Sequence, residues 1–251
     1  MEVHHHPHTA RKRWTHYFWE FLMLFLAVFC GFLAENIREH KIEKHRAAQY
    51  ISSLYEDLKN DTTRINNLIK YDEEKIAALN LMYNCYDTVF QNLKATTCMG
   101  ILLKNSRSNR GFVLTDRTLK QLANAGGYRL LDKEDADSII TYENMYKGYL
   151  DFQTTVFQQA QDNIRNTLNQ LASFKVIAPV QLTTAVLGAD TTSEKLNGPL
   201  LFNDDRLLLN KWFNELAMYL RTTNGQRNSV RNIKDKAVSL LRYYKAKYHL
   251  E

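Results

Sequence analysis

The sequence predicts an all-α protein, in which an N-terminal transmembrane helix continues into a long stalk and then into an antiparallel bundle of three long helices with short accessory helices. Three observations support this fold class. An apolar segment lies near the N-terminus, glycine and proline are absent between Gly31 and Gly100, and apolar residues recur at spacings of three, four and seven over three long stretches. We divide the chain into a His-rich basic head (1–13), a transmembrane helix (14–34), a helical stalk (35–50) and a helical bundle domain (51–251).

The apolar segment runs from Trp14 to Ala34, WTHYFWEFLMLFLAVFCGFLA. At about 1.5 Å of rise per residue, a helix of this length crosses the hydrocarbon core of a bilayer. No small-residue cleavage site follows it, so we expect an uncleaved anchor. The basic residues at 11–13 favour a cytoplasmic N-terminus. We therefore expect a single-pass protein of the cell inner membrane with a periplasmic C-terminal domain.

Glu20 is the one acidic residue within this apolar segment. An ionisable group inside a membrane is costly and suggests a proton path or the basic residue of a partner protein. Since Glu20 lies about one turn inside the aromatic residues that mark the interface, its side chain can also extend to the headgroups. Both interpretations stay open on the sequence.

Four histidines in the head, His4, His5, His6 and His8, are the candidate metal ligands. Imidazole clusters bind zinc, nickel or copper. This cluster has no thiol beside it, and the head is too short to fix a coordination geometry. The alternative is a disordered polar tail.

The first long helix is expected to run from the membrane to about Thr97, because its apolar positions continue without a helix breaker. Thr62 and Asp72 occupy two slots of its apolar seam, and we expect a kink or a polar layer at either position. The second long helix begins at Asp132, which is placed to cap it. Gln153 falls in the seam of that helix and predicts a polar contact between helices.

The third long helix begins near Asp204, and Asn224-Gly225 is expected to kink it or to divide it in two. Two connections, 99–132 and 175–203, link the three helices. The first contains a short helix, RTLKQLANA, that should stop at Gly126-Gly127. Because the three seams are similar in length, we expect an up-down-up arrangement around one shared core.

The chain has three cysteines, too few for a disulfide scaffold. If Cys85 and Cys98 lie on one helix, about 20 Å separates them, which is beyond the reach of a disulfide. We expect free thiols at both positions, and a buried thiol at Cys30.

Composition and motifs exclude several classes of function. The net charge of +6 is modest and the basic residues are interleaved with acidic ones, which argues against a nucleic-acid partner. The sequence contains no phosphate-binding loop, dinucleotide glycine pattern, HExxH, GxSxG or paired CxxC. We expect no catalytic residues and no cofactor. Tyr142, Tyr146 and Tyr149 recur at helical spacing and are expected in the core, where their hydroxyls could line a small-ligand pocket.

Four segments carry a resemblance to known sequences: HHHPHTARKRWTHYFWEFLMLFLAVFCGFLAE, YISSLYEDLKNDT, DRTLKQLANAGGYRLL and KYHLE. With them the chain resembles a family of uncharacterised single-span membrane proteins from Gram-negative bacteria. The anchor is the most specific part of the resemblance, whereas the helical remainder is similar mainly in pattern. The resemblance implies an inner-membrane location and implies no activity.

We therefore expect a non-enzymatic membrane protein whose extracytoplasmic helical bundle acts as an interaction or structural module. Its expected partners are the lipid bilayer and either a second copy of the chain or another envelope protein. One alternative is a sensor that binds a small ligand among the core tyrosines and signals through a partner. Another is an ion-coupled channel or motor accessory that uses Glu20, since the start of the span is similar to the ion-carrying helix of motor stator proteins.

Overall fold

The computed structural model of the protein describes residues 14–91, 96–173 and 201–250. These residues form helices and connecting turns without a strand, and the predicted all-α class is confirmed. A 3₁₀ turn (Gly127–Leu130) and a π turn (Gln153–Phe157) interrupt the α-helices. The α-helices are α1 (Trp14–Asn80), α2 (Met82–Gln91), α3 (Thr96–Arg107), α4 (Arg117–Asn124), α5 (Lys133–Phe152), α6 (Gln158–Leu171) and α7 (Arg206–Tyr248).

Helix α1 joins the apolar segment to the folded domain without a break. Its first part is long and apolar enough to span a membrane, and no residue of the apolar window is buried in the rest of the protein. Residues 35–46 are exposed all round, and Ala47 and Ile51 are the first buried side chains. At about 1.5 Å per residue, the exposed stalk separates the end of the apolar segment from the domain by roughly 20 Å.

Helix α7 packs antiparallel to α1 and α2 along most of its length. Residues with higher sequence numbers on α1 and α2 contact residues with lower sequence numbers on α7. The contacts that show this order are Asp72 with Gln226, Lys75 with Tyr219, and Tyr86 with Asn210.

The continuous run of α5, the π turn and α6 also packs against α7. It is antiparallel to α7 and parallel to α1, since Tyr142 contacts Asp61 near one end of the domain and α6 packs with α2 and α3 at the other. The up-down-up alternation expected from the sequence is therefore found only in the step from α6 to α7, and α7 runs antiparallel to α1 where that arrangement would make the two helices parallel. The reason is that residues 96–131 themselves run back along the domain before α5 begins.

The first long helix does not continue to Thr97. Helix α1 ends at Asn80, Leu81 forms a turn, α2 ends at Gln91, and α3 then returns against α1 and α2. The expectation of free, distant thiols at Cys85 and Cys98 is wrong for the same reason. The two cysteines form a disulfide with Cα atoms 5.9 Å apart. Cys30 is a free thiol on the exposed surface of α1.

Two hydrophobic clusters form the core of the domain, one beside the stalk and one at the far end. The proximal cluster includes Ile51, Leu58, Tyr142, Ile233 and Tyr244, and the distal cluster includes Leu79, Val89, Leu102, Leu168 and Trp212. Helix α7 passes through both without a break, so Asn224-Gly225 neither divides nor ends it. Where α7 passes from one cluster to the other, buried polar side chains replace the apolar ones.

Candidate functional site

The candidate site is a layer of polar side chains between the two hydrophobic clusters, and we call it the polar layer. Four parts of the chain contribute to it: α1, the segment after α3, the π turn and α7. The side chains of Asp72, Lys75, Tyr219 and Gln226 within it are at most 1% exposed. Its members are Asp72, Lys75, Asn109, Gln153, Tyr219 and Gln226.

Asp72 is held by a single amide from the opposite helix. Gln226 Nε2 donates to Asp72 Oδ1 at 2.7 Å and to Oδ2 at 2.9 Å, and it also donates to the carbonyl of Arg110 at 3.3 Å. Because burial disfavours the charged carboxylate, the pKa of Asp72 is raised to about 6, against the opposing effects of Gln226 and Lys75. Of the kink and the polar layer expected at this position, the structure shows the polar layer.

A chain of amides continues from Asp72 across the domain. Gln153 Nε2 donates to Gln226 Oε1, and Asn109 Nδ2 donates to Gln153 Oε1 at 3.3 Å. The polar contact predicted at Gln153 is confirmed. Asn109 Oδ1, at the far end of this series of amides, is buried and has no hydrogen-bond partner among the residues that the structure describes. Every donor in this series therefore points towards the carboxylate of Asp72.

Lys75 is the buried cation of the polar layer. Its ammonium group donates to the carbonyl of Ser108 at 2.6 Å and to the hydroxyl of Tyr219. It also lies 4.5 Å from the ring centroid of Tyr219 and 5.6 Å from those of Tyr71 and Phe157, distances typical of cation–π contact. Burial lowers the pKa of Lys75 to about 7, although the negative charge of Asp72 opposes this shift.

A π turn brings Gln153 into the polar layer. Single π turns insert one extra residue into a helix and often occur at functional positions. Gly225 lies opposite, and a Cβ atom there would be 3.1 Å from Cζ of Phe152. Asn224-Gly225 was expected to kink or divide the helix. Instead, Gly225 allows the ring of Phe152 to approach α7 closely.

Residues 108–116, which we call the strap, connect α3 to α4 without regular secondary structure. Buried backbone groups outside helices need other partners, and here the helices supply side chains. Lys75 binds the carbonyl of Ser108, Gln226 that of Arg110, and the hydroxyl of Tyr149 accepts from the amide of Phe112 at 3.0 Å. The polar layer therefore fixes the first half of the strap.

Two buried acids of α1 fix the other end of the strap. Asp61 Oδ1 accepts from the amide of Thr115 at 2.9 Å and from its hydroxyl at 2.7 Å, and Tyr142 donates to Oδ2 at 3.1 Å. Asp57 accepts from Thr118 and pairs with Arg117 at 3.0 Å. Burial raises the pKa of Asp61, and the hydrogen bonds from Thr115 and Tyr142 oppose this shift.

The tyrosines expected in the core pack there and have partners within the protein. Tyr142 binds Asp61 and Tyr149 binds the backbone of Phe112, while the rings of Tyr146 and Phe112 meet edge to face at 5.5 Å. Burial raises the pKa of Tyr149 to about 12. These tyrosines hold the strap in place, which is a different role from lining a ligand pocket.

A second group of polar residues joins the first turn of α5 to the end of α7. Lys247 lies 2.9 Å from both Asp132 and Asp135, and Tyr248 donates to Asp135. Asp132 is the N-cap residue of α5 as predicted, but its side chain accepts from Lys247 and caps no backbone amide. This group closes the end of the domain that faces the stalk.

The residues singled out near the N-terminus lie apart from the polar layer. Glu20 is on the exposed surface of α1, and the ring nitrogen of His16 lies 3.2 Å from its carboxylate. The candidate metal ligands His4, His5, His6 and His8 fall outside the described residues. Within residues 14–91, 96–173 and 201–250, no group of three or more histidine, cysteine or acidic side chains is arranged to hold a metal ion.

Comparison of the chain with protein-family models, with curated proteins and with solved structures finds no match. The resemblance to a bacterial membrane-protein family therefore stays a prediction.

Sequence reasoning missed Asp57, Asp61 and Lys75. A usable signal was present, because Asp57, Asp61, Asp72 and Lys75 follow the same helical spacing as the buried apolar residues of α1.

Proposed function

We propose that the protein is a non-enzymatic, single-pass inner-membrane protein whose helical domain lies outside the cytoplasm and acts as an interaction or structural module. The disulfide between Cys85 and Cys98 is the observation that carries this proposal. Disulfides persist in oxidising compartments and are rare in the cytosol. An exposed apolar helix followed by a disulfide-bonded domain is the arrangement expected of a bitopic protein with the domain on the oxidising side.

The exposed surface of the apolar segment supports the membrane part of the proposal. Phe21, Phe25 and Phe29 stack along one side of α1, and the large apolar side chains from Trp14 to Leu33 are exposed except for Leu22, which is half-buried. A contiguous apolar surface of this size is unfavourable in water and is stabilised by lipid. The following stalk then holds the domain away from the headgroups.

The binding partners of the buried polar side chains support a non-enzymatic role. Asp57, Asp61, Asp72 and Lys75 are each at most 1% exposed and bind other parts of the same chain. Groups that act on a substrate need a path to it. These side chains join α1 to the strap, to the start of α4 and to α7, which is a structural task.

Exposed apolar side chains on the domain are the first places to look for a protein partner. Tyr83, Val113 and Met218 are each more than half exposed. We expect a photoreactive residue at these positions to give discrete crosslinked species in intact cells, with a second copy or another envelope protein. Matched photoreactive residues at the exposed positions Glu56 and Lys245 are the controls. The absence of discrete adducts at all three apolar positions would count against an interaction module.

The location is tested by thiol trapping in intact cells. Cells are quenched with acid and the denatured protein is treated with a maleimide of large mass, with and without prior reduction. In a Cys30→Ala background we expect no modification before reduction and two added masses after it, because Cys85 and Cys98 are paired. Two masses before reduction would place the domain in a reducing compartment and overturn the proposal.

A further inference from the structure

We infer that the polar layer is a proton-operated latch for the strap, in which protonation of Asp72 reverses the amide chain from Gln226 to Asn109 and releases the carbonyl of Arg110. This inference goes beyond the proposed function and depends on neither the membrane location nor a partner. It rests on the direction of five hydrogen bonds and on one buried acceptor that lacks a partner in the described part of the chain.

The ionised carboxylate fixes the direction of the amide chain. A carboxylate only accepts hydrogen bonds, so Gln226 must present its amide nitrogen to Asp72. Its oxygen then faces Gln153, which must present its own nitrogen, and Asn109 in turn donates to the oxygen of Gln153. The second hydrogen of the Gln226 amide reaches the carbonyl of Arg110 and holds the strap.

The direction of the amide chain is unfavourable for the buried side-chain oxygen of Asn109. Asn109 Oδ1 has no partner within residues 14–91, 96–173 and 201–250, and a buried acceptor without one is unfavourable. In the reversed chain the proton on Asp72 is donated to Gln226 Oε1, Gln226 donates to Gln153, and Gln153 donates to Asn109 Oδ1. The reversed chain thus gives the oxygen of Asn109 a donor and turns the Asn109 amide nitrogen to the position that the oxygen now occupies, and it places the oxygen of Gln226 where its nitrogen held Arg110.

The charged and titratable groups around Asp72 set the conditions for this reversal. Lys75 and Arg227 favour the ionised carboxylate. Tyr219 from α7 and Tyr149 from α5 have their hydroxyls in the same region, and burial keeps both protonated at neutral pH. Tyr71 from α1 and the guanidinium of Arg110, 4.6 Å from the ring centroid of Tyr71, complete the surroundings. Asp72 is the only carboxyl group among these residues.

The latch is tested by hydrogen exchange on the full-length protein in lipid nanodiscs. Protection of peptides covering the strap is measured from about pH 8 to about pH 5 and corrected for the intrinsic exchange rate. We expect strap protection to fall roughly fivefold as the pH decreases through about 6, which corresponds to the net contribution of one hydrogen bond. Protection that follows only the intrinsic rate would overturn the inference.

Two variants separate the latch from a general loss of stability. Asp72→Asn lacks the titrating group and should abolish the pH-dependent step, whereas Asp61→Asn, at the other end of the strap, should retain it. If Asp72→Asn fails to fold, Asp72→Glu keeps the carboxyl group and should keep the step with a shifted midpoint. A step of unchanged size and midpoint in folded Asp72→Asn would contradict the assignment to this residue.

Discussion

Asp72 and Lys75 are buried charges whose pKa values are shifted in opposite directions, and their signs predict an unusual pH profile. Asp72 titrates near 6 in the folded protein and at 3.8 ordinarily, so the stability it contributes is lost as the pH rises towards 6. Lys75 titrates near 7 in place of 10.5, so the stability it contributes is lost as the pH falls towards 7. We therefore predict a local minimum in the free energy of unfolding between about pH 6 and 7. Urea denaturation of the wild type across this range measures it.

The double variant Asp72→Asn, Lys75→Met is the control for this minimum. It removes both shifted groups while keeping side chains of similar size, and the minimum should disappear. A minimum that persists in the double variant would assign the pH dependence to other residues. Acidification through pH 6 should therefore raise global stability while it lowers the protection of the strap, and the opposite signs distinguish the latch from general unfolding.

Two glycines within helices, Gly148 and Gly225, allow the same substitution to be compared with and without a close neighbour. A Cβ atom at Gly148 meets no described residue within 4 Å, whereas one at Gly225 meets the ring of Phe152. Gly148→Ala should stabilise the fold by about 0.5–1 kcal/mol, because alanine loses less backbone entropy in a helix. In Gly225→Ala the same gain in stability should be offset by the free energy needed to displace the ring of Phe152. Thermal unfolding of both variants tests this difference, and an equal gain at Gly225 would contradict the close approach.

At the scale of elements, side chains of the helices hold the strap. Asp61 accepts the hydrogen bonds that fix the end of the strap next to α4. Asp61→Ala leaves the hydroxyl of Tyr142 and the amide of Thr115 without their acceptor. We expect a loss of about 1–3 kcal/mol in the free energy of unfolding. Asp87→Ala, at an exposed position on α2, is the control and should change stability by less than about 0.5 kcal/mol. Equal effects of the two variants would show that the strap contributes little.

The disulfide joins α2 to α3 where the chain reverses. It closes a short loop, since the two cysteines are 13 residues apart in sequence. Replacing Cys85 and Cys98 by alanine should cost about 2–4 kcal/mol of stability. Cys30→Ala should leave the unfolding of the domain unchanged, because Cys30 lies outside it. The measurement is urea denaturation under non-reducing conditions, and an unaffected midpoint in the double variant would contradict a stabilising role.

Helical spacing predicted the elements well and their connections poorly. The helical class, the stop at Gly126 with its left-handed backbone and the polar contact of Gln153 follow from local patterns, and the structure confirms them, whereas the first long helix ends at Asn80 and not near Thr97. The reversal between α2 and α3 contains neither glycine nor proline, so no local signal marks it. The strap depends on partners about 30 to 120 residues away in sequence, such as Lys75 and Gln226, and a single sequence does not show such pairings.

At the scale of the whole molecule, the apolar part of α1 is not packed against the described part of the domain. The first buried side chain of α1 is Ala47, and the apolar window has no buried residue. We predict that a chain beginning at Glu43 is soluble without detergent and unfolds at the same temperature as the domain of the full-length protein. Circular dichroism and size-exclusion chromatography test this, and aggregation of the shortened chain would show that the span contributes to the fold.

We propose that α1 crosses the membrane once and carries the domain on the far side from the cytoplasm. The most direct measurement is labelling of single introduced cysteines in intact cells with a membrane-impermeant maleimide, in the Cys30→Ala background. Lys245→Cys lies on the exposed surface of α7, and Thr9→Cys lies in the head before the span. The account predicts labelling at position 245 in intact cells, and at position 9 only after the membrane is permeabilised. Labelling at position 9 alone in intact cells would contradict it and place the helical domain in the cytoplasm.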